Sequence, residues 1–261
     1  MLSRTFFGTL LWLLLSVPAS AQTLLPGKNT PVLRGQTQEI YFYPARGESG
    51  RSIRKVLFAP GDGGWRGFAV TIAQAMASWG YDVYGLDTRR YLESFTGKTS
   101  LKETDVMSDF RQIAGWITQG RDERVILVGW SEGAGLGLLG AAAEGNKRTF
   151  SGLMAIGLSD ANVLAWRWKD DLTYITKQDP KEPKFQASQF LPHVAPLPLE
   201  FIYSSHDEYI PREEANRLFS VARNPKRFVV IEAQNHRFDG NQGDFFRALY
   251  EGLQWITQTS H

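Results

Sequence analysis

No cysteine occurs in the 261 residues, which excludes a disulfide framework, a thiolate nucleophile and any Cys-ligated zinc site. Charge of one sign is also lacking. The 29 Lys and Arg against 27 Asp and Glu leave a net charge of +2, whereas nucleic-acid binders concentrate basic charge to displace counterions. No nucleic-acid partner is expected. Histidine is scarce, so an imidazole base must be one of His193, His206, His236 and His261. No His-Glu-x-x-His string occurs, and Asp239-Gly240-Asn241-Gln242-Gly243-Asp244 lacks the spacing and closing Glu of a calcium loop. No metal and no organic cofactor is expected, and that stretch reads as a polar turn capping the last helix.

Long apolar runs are missing except near the start. Arg4 is followed by an apolar run from Phe6 to Val17 and then by Pro18-Ala19-Ser20-Ala21. Charge, short apolar core and small-x-small is the order of a secretory signal peptide, with cleavage expected after Ala21. The run is shorter than the ~20 residues that span a bilayer. The reading is an exported protein, periplasmic or secreted: residues 1–21 as signal peptide and 22–261 as one domain.

What is present is ordinary for a globular domain: 43% hydrophobic, 13% aromatic and 21% charged residues, with no repeat or low-complexity tract. After an irregular lead-in over Gln22–Gln36, short β-branched runs alternate with helical patterns. Strands are expected at 39–43, 56–59, 82–86, 125–128, 153–158, 199–203 and 228–231, and helices at 68–79, 136–143, 212–221 and 245–255. A further helix is expected to open at a capping box, Ser100-Leu101-Lys102-Glu103, and to run to about Thr118, closed by Gly120. Alternating strands and crossover helices imply an α/β fold with a mostly parallel central sheet and helices on both faces. One interval, about 160–198, breaks this rhythm with Trp166, Trp168, Tyr174 and five prolines. It reads as an insertion over the carboxyl edge of the sheet, where open α/β sheets bind ligands.

Chemistry enters at Gly129-Trp130-Ser131-Glu132-Gly133, which follows the apolar strand and opens a helix. This is a nucleophile elbow: a sharp strand-to-helix turn holds the serine clear of the backbone. A serine hydroxyl needs an oriented base. His236 stands in the loop five residues past the last expected strand and is the candidate. For the orienting acid, Asp207 follows the strand 199–203, with Glu208 and Asp160 as alternatives. The order Ser131, Asp207, His236 is that in which the α/β-hydrolase fold supplies nucleophile, acid and base. Pro60-Gly61-Asp62-Gly63-Gly64-Trp65 follows the strand 56–59, where such folds place an oxyanion loop. The Asp62 and Glu132 backbone N–H groups are the expected oxyanion donors. Gly63, Trp65, Trp130 and Trp166 are expected to line the substrate site. Trp166-Arg167-Trp168-Lys169 has the indole and cation mixture favoured at a lipid interface, which would give a peripheral membrane contact.

Three strings, Gly61-Asp62-Gly63-Gly64-Trp65, Gly85-Leu86-Asp87-Thr88-Arg89-Arg90-Tyr91 and Gly129-Trp130-Ser131-Glu132-Gly133, resemble successive signatures of the VirJ/AcvB family of exported bacterial α/β-hydrolases. Asn235-His236-Arg237-Phe238-Asp239-Gly240 is similar to that family's closing histidine motif. The resemblance implies a periplasmic protein associated with virulence and secretion, Ser131, Asp207 and His236 as a triad, and an aminoacyl or acyl ester as substrate. That substrate would be an ester of a small molecule or a lipid, the lipid case being an aminoacyl-phospholipid of the lysyl-phosphatidylglycerol type. Where the family usually has an aromatic residue after the serine, this chain has Glu132. A negative charge there would favour a cationic acyl group. Other readings are a soluble-substrate esterase, thioesterase or peptidase and, from a different class, a non-catalytic binding protein that keeps the fold.

Overall fold

The computed structural model describes residues 24–46, 52–97, 100–166 and 183–260. The expected signal peptide, Arg167, Trp168, Lys169 and Tyr174 of the insertion, and His261 lie outside the described residues. Eight strands form the main sheet: β1 (Gly27–Asn29), β2 (Ile40–Tyr43), β3 (Lys55–Ala59), β4 (Asp82–Leu86), β5 (Val125–Trp130), β6 (Phe150–Ile156), β7 (Leu199–Ser204) and β8 (Lys226–Ile231). Their spatial order is β1-β2-β4-β3-β5-β6-β7-β8. β2 runs antiparallel to both β1 and β4, and every other neighbouring pair is parallel. The helices are α1 (Phe68–Ser78), α2 (Thr88–Phe95), α3 (Glu103–Thr118), α4 (Glu132–Ala142), α5 (Arg212–Val221) and α6 (Gln242–Thr259).

Successive side chains of a strand point to opposite faces, and both faces of this sheet are covered. Val56, Phe58, Ile126, Val128, Met154 and Ile156 pack with α1 and α6 on one side. Leu57, Leu127, Leu153 and Phe201 pack with α2, α3, α4 and α5 on the other. Burial on both faces explains why β5, the fourth strand from the β8 edge, is apolar along almost its whole length. Among the described residues no helix is long and apolar enough to cross a membrane.

Three local expectations are corrected. The lead-in is not irregular throughout: it supplies the edge strand β1 and a hairpin pairing Val32–Leu33 with Gln36–Thr37. Strands of two or three residues are too short to carry a periodic signal. Helix α2 was not expected. Asp87 starts it by accepting the Arg90 N–H at 3.1 Å, and it buries Tyr91, Leu92 and Phe95. Helix α3 begins later than the Ser100 box implies, because the Asp105 carboxylate accepts the Lys102 N–H at 2.9 Å and makes Lys102 the cap. Its end falls as expected, with Gln119 and Gly120 both at positive φ.

The insertion is described at its two ends. Ala161–Val163 and Lys184–Gln186 form an antiparallel ribbon, followed by a helical turn over Ala187–Phe190. The ribbon lies against the start of α4, beside the carboxyl ends of β5 and β6. Gly135 of α4 sits so close to Asn162 that a Cβ would collide with its Oδ1.

Candidate active site

The turn from β5 into α4 places Ser131 at φ 56°, ψ −125°, a sparsely populated conformation for a residue with a side chain, costing on the order of 1–3 kcal/mol. The neighbours explain how it is held. A Cβ on Gly129 would meet the backbone of Ala134, and one on Gly133 would meet the Ala59 carbonyl. Only glycines allow the strand, the turn and the helix to approach this closely. The Ser131 N–H donates to the Ile156 carbonyl of β6 at 2.8 Å, and the Ala134 N–H closes onto the Ser131 carbonyl at 2.8 Å.

His236 reaches the same point from the loop after β8. Its Nδ1 is 2.7 Å from Asp207 Oδ2, with the two side chains 7% and 1% exposed. The Asp207 Oδ1 accepts the backbone N–H groups of Tyr209 and Ile210 at 3.0 and 3.1 Å, so both carboxylate oxygens are fixed. The other two acids are occupied elsewhere. Glu208 Oε2 accepts the His236 backbone N–H at 2.7 Å. Asp160 accepts the Ser188 N–H and pairs with Arg217, each at 2.9 Å. Asp207 is therefore the acid brought to the imidazole.

With Nδ1 engaged, the chemically open atom of the ring is Nε2, which is buried and has no hydrogen-bond partner. The ring lies against the backbone of Gly157, where φ is 56° and a Cβ would collide with the imidazole. It stacks on the Trp130 indole at 5.8 Å and 24°, and Tyr209 meets it edge-on at 5.4 Å. Ser131 bonded to Ile156 and His236 seated on Gly157 thus converge on adjacent residues at the tip of β6. Trp130 was expected to line the substrate site; here it is the platform for the imidazole.

The loop expected to receive an oxyanion turns tightly after β3, with the Gly64 N–H on the Gly61 carbonyl at 3.1 Å, and Asp62 and Gly63 at its tip. A Cβ built on Gly61 would lie 3.2 Å from Ser131 Cβ, so this loop touches the elbow. Glu132, the first residue of α4, directs its backbone N–H from the positive end of the helix. The loop is secured by Asp87 Oδ2, which accepts the Trp65 N–H at 3.3 Å. Trp65 packs on the sheet rather than lining a site: its ring stacks on Tyr41 at 5.3 Å, and a Cβ on Gly85 would run into it.

Two other expectations change. Trp166 is only 4% exposed, its ring lies 3.6 Å beneath the Arg89 guanidinium, and its backbone N–H donates to Thr96 Oγ1 at 3.0 Å. It is a buried anchor, not an indole facing lipid. The Glu132 carboxyl accepts the Val163 N–H at 2.7 Å, and burial, with help from nearby Asp62, pushes its pKa up to about 8. At neutral pH it is mostly uncharged, so the expectation of a negative charge that selects a cationic acyl group is withdrawn.

Sequence reasoning missed Gly157 and Tyr209, and it missed the roles of two residues it had named: Glu208, weighed only as an alternative acid, holds the His236 backbone, and Asp87 holds the loop at Trp65. Gly157 had a signal, a glycine directly after an apolar strand. Asp87 had another, an acid at the N-cap position of a short amphipathic stretch. Among the described residues no group of three His, Cys, Asp or Glu side chains could hold a metal ion.

The chain is similar to several known proteins. The family model described as bacterial virulence protein (VirJ) matches residues 54–156, the stretch from β3 to β6 that contains the loop 61–65 and the Ser131 turn. The uncharacterised protein YfhR of Escherichia coli O157:H7 is 22% identical over 218 residues, covering 79% of this chain and 72% of YfhR. The α/β hydrolase GrgF of a Penicillium species superposes with a TM-score of 0.66 at 13% identity, covering 91% of this chain and 99% of that one. The dienelactone hydrolase of Anabaena variabilis gives 0.63 at 18% identity over 90% and 99%. Est1E of Butyrivibrio proteoclasticus gives 0.63 at 13% over 88% and 98%.

Proposed function

From a chain with the α/β-hydrolase fold and a VirJ-type segment around its elbow, we propose an exported serine hydrolase that cleaves a carboxylic ester through an acyl-enzyme. The observation that carries the reading is the Asp207–His236 pair at 2.7 Å, with a buried, unpartnered Nε2 beside the strained Ser131 turn. Ser131 Oγ attacks the ester carbonyl while His236 Nε2 takes its proton, and Asp207 stabilises the imidazolium that forms. The Glu132 and Asp62 N–H groups receive the developing oxyanion, a donor of this kind being worth ~3 kcal/mol. The imidazolium then protonates the departing alcohol. Water, deprotonated by the same nitrogen, releases the acid and regenerates Ser131.

The resemblance to exported VirJ/AcvB-like proteins points the substrate toward an aminoacyl or acyl ester, with an aminoacyl-phospholipid as the specific case and the periplasm as the place. A fluorophosphonate tests the chemistry directly. The wild-type protein should be labelled once per chain and Ser131→Ala should not be. A folded wild-type protein that stays unlabelled overturns the reading and favours a binding role. Paired hydrolysis of lipid-linked and soluble aminoacyl esters by wild type and Ser131→Ala then assigns the alcohol.

A further inference from the structure

The residue after the nucleophile carries a side chain that the reaction above does not use. Glu132 is the first residue of α4, and its Oε1 accepts the Val163 N–H at 2.7 Å. Val163 belongs to the ribbon formed by Ala161–Val163 and Lys184–Gln186, where the insertion leaves and rejoins the domain. One turn further along α4, Gly135 brings the helix into direct contact with Asn162. The ribbon is therefore fastened to the same helical turn whose leading N–H faces the reacting carbonyl. We propose that Glu132 is a positioning residue, fastening the ribbon to the first turn of α4 through its carboxyl and so holding its own backbone N–H in the oxyanion-binding direction. This rests on the hydrolase reading above but assigns a side chain and a linkage that reading does not need.

The surroundings decide in which protonation state the side chain works. Asp62 faces it from the oxyanion loop and raises its pKa further after burial, to about 8. The Asp207–His236 pair is on the Trp130 side of the turn, where the imidazole stacks on that indole. Gly133, Ala134 and Gly135 of the helix and Ala161, Asn162 and Val163 of the ribbon bring no charge, and Lys184, opposite Val163 in the ribbon register, is exposed. A neutral carboxyl accepts the Val163 N–H without placing negative charge beside a developing oxyanion. Ionisation keeps the hydrogen bond but adds that charge, and the oxyanion is then disfavoured. The turnover rate should fall as pH rises through about 8.

The test compares wild type with Glu132→Gln and Glu132→Ala. Amide hydrogen exchange at Val163 reads the linkage independently of catalysis. It should be about tenfold faster or more in the alanine variant and close to wild type in the glutamine variant, whose amide oxygen still accepts. At pH 7 the alanine variant should lose kcat on a small aryl ester by about tenfold or more with little change in KM. The glutamine variant should recover most of that loss and lack the alkaline fall near pH 8. Unchanged Val163 exchange in Glu132→Ala overturns the linkage. Wild-type kcat at pH 7 in Glu132→Ala overturns the role in positioning, and superimposable pH profiles for wild type and Glu132→Gln up to pH 9.5 overturn the account of a neutral carboxyl beside the oxyanion. Should wild type fail to react with fluorophosphonate, the hydrolase reading fails instead, a different result from either of these.

Discussion

Glu200 offers a quantitative test of the energetics of this core. It lies on β7, opposite Arg227 of β8 and Met154 of β6, fully buried, and neither carboxylate oxygen has a hydrogen-bond partner. Its nearest cation, Arg227 Nη1, is 3.9 Å from Oε2, too far for a hydrogen bond. Burial raises the Glu200 pKa from 4.5 to about 7, with Arg227 opposing and Glu251 adding to the effect. Below pH 4.5 the folded and unfolded chains both hold the proton, so this group adds no pH dependence. Between 4.5 and about 7 only the folded chain keeps it, and stability falls as pH rises. At ~1.4 kcal/mol for each pH unit between the two values, the accumulated loss is about 3 kcal/mol. Glu200→Gln keeps the shape and removes the titration. Whatever the buried amide costs is independent of pH, and the other titrating groups are common to both proteins. Guanidinium unfolding followed by tryptophan fluorescence at pH 4.5 and pH 8 should therefore give a stability difference that moves by about 3 kcal/mol in favour of the variant. Parallel stability curves across that range would refute the account of a neutral, unpartnered Glu200.

Other substitutions probe the site and its supports. Asp207→Asn should lower kcat by roughly 10³–10⁴. Glu208→Gln, whose amide oxygen can still accept the His236 N–H, should change kcat by only a few-fold, as steady-state kinetics normalised by active-site titration would reveal. Gly157→Ala places a methyl group against the imidazole at a positive φ and should slow acylation by on the order of a hundredfold, read from the burst phase. Gly85→Ala drives a methyl into the Trp65 ring and should reduce stability by about 1–3 kcal/mol, measured by thermal unfolding.

Much of this molecule could be read in advance because its strands are buried on both faces and therefore advertise themselves as apolar runs. β3, β4 and β5, with the helices between, place the loop 61–65 and the Ser131 turn at one edge, and the glycines around Ser131 are explained by the backbone contacts found there. Asp207 and His236 sit in the loops that follow β7 and β8, three and five residues past the strand ends, so their side chains were legible as loop residues following strands. Chain order favoured Asp207 as the acid that reaches the ring, and the structure pairs it with His236, but what separates it from Glu208 was not legible. Asp207 and Glu208 are adjacent in the chain, and only the turn that commits Asp207 Oδ1 to the Tyr209 and Ile210 N–H groups sends one carboxylate to the imidazole side chain and the other to its backbone. The aromatics were the hardest to assign, for a physical reason. Trp65, Trp130 and Trp166 occur in glycine-rich or irregular stretches that carry no periodicity, and an indole there serves equally as a substrate wall or a packing anchor. The deciding quantities are tertiary: the glycine at 85 that accepts one ring, the imidazole that stacks on the second, and the guanidinium that covers the third. The same holds for Glu132, whose sequence position promised a charge at the mouth of the site. Its hydrogen bond to a ribbon 31 residues away turns that charge into a buried, neutral contact, so the local chemistry of the elbow depends on a segment that the elbow's own sequence does not mention.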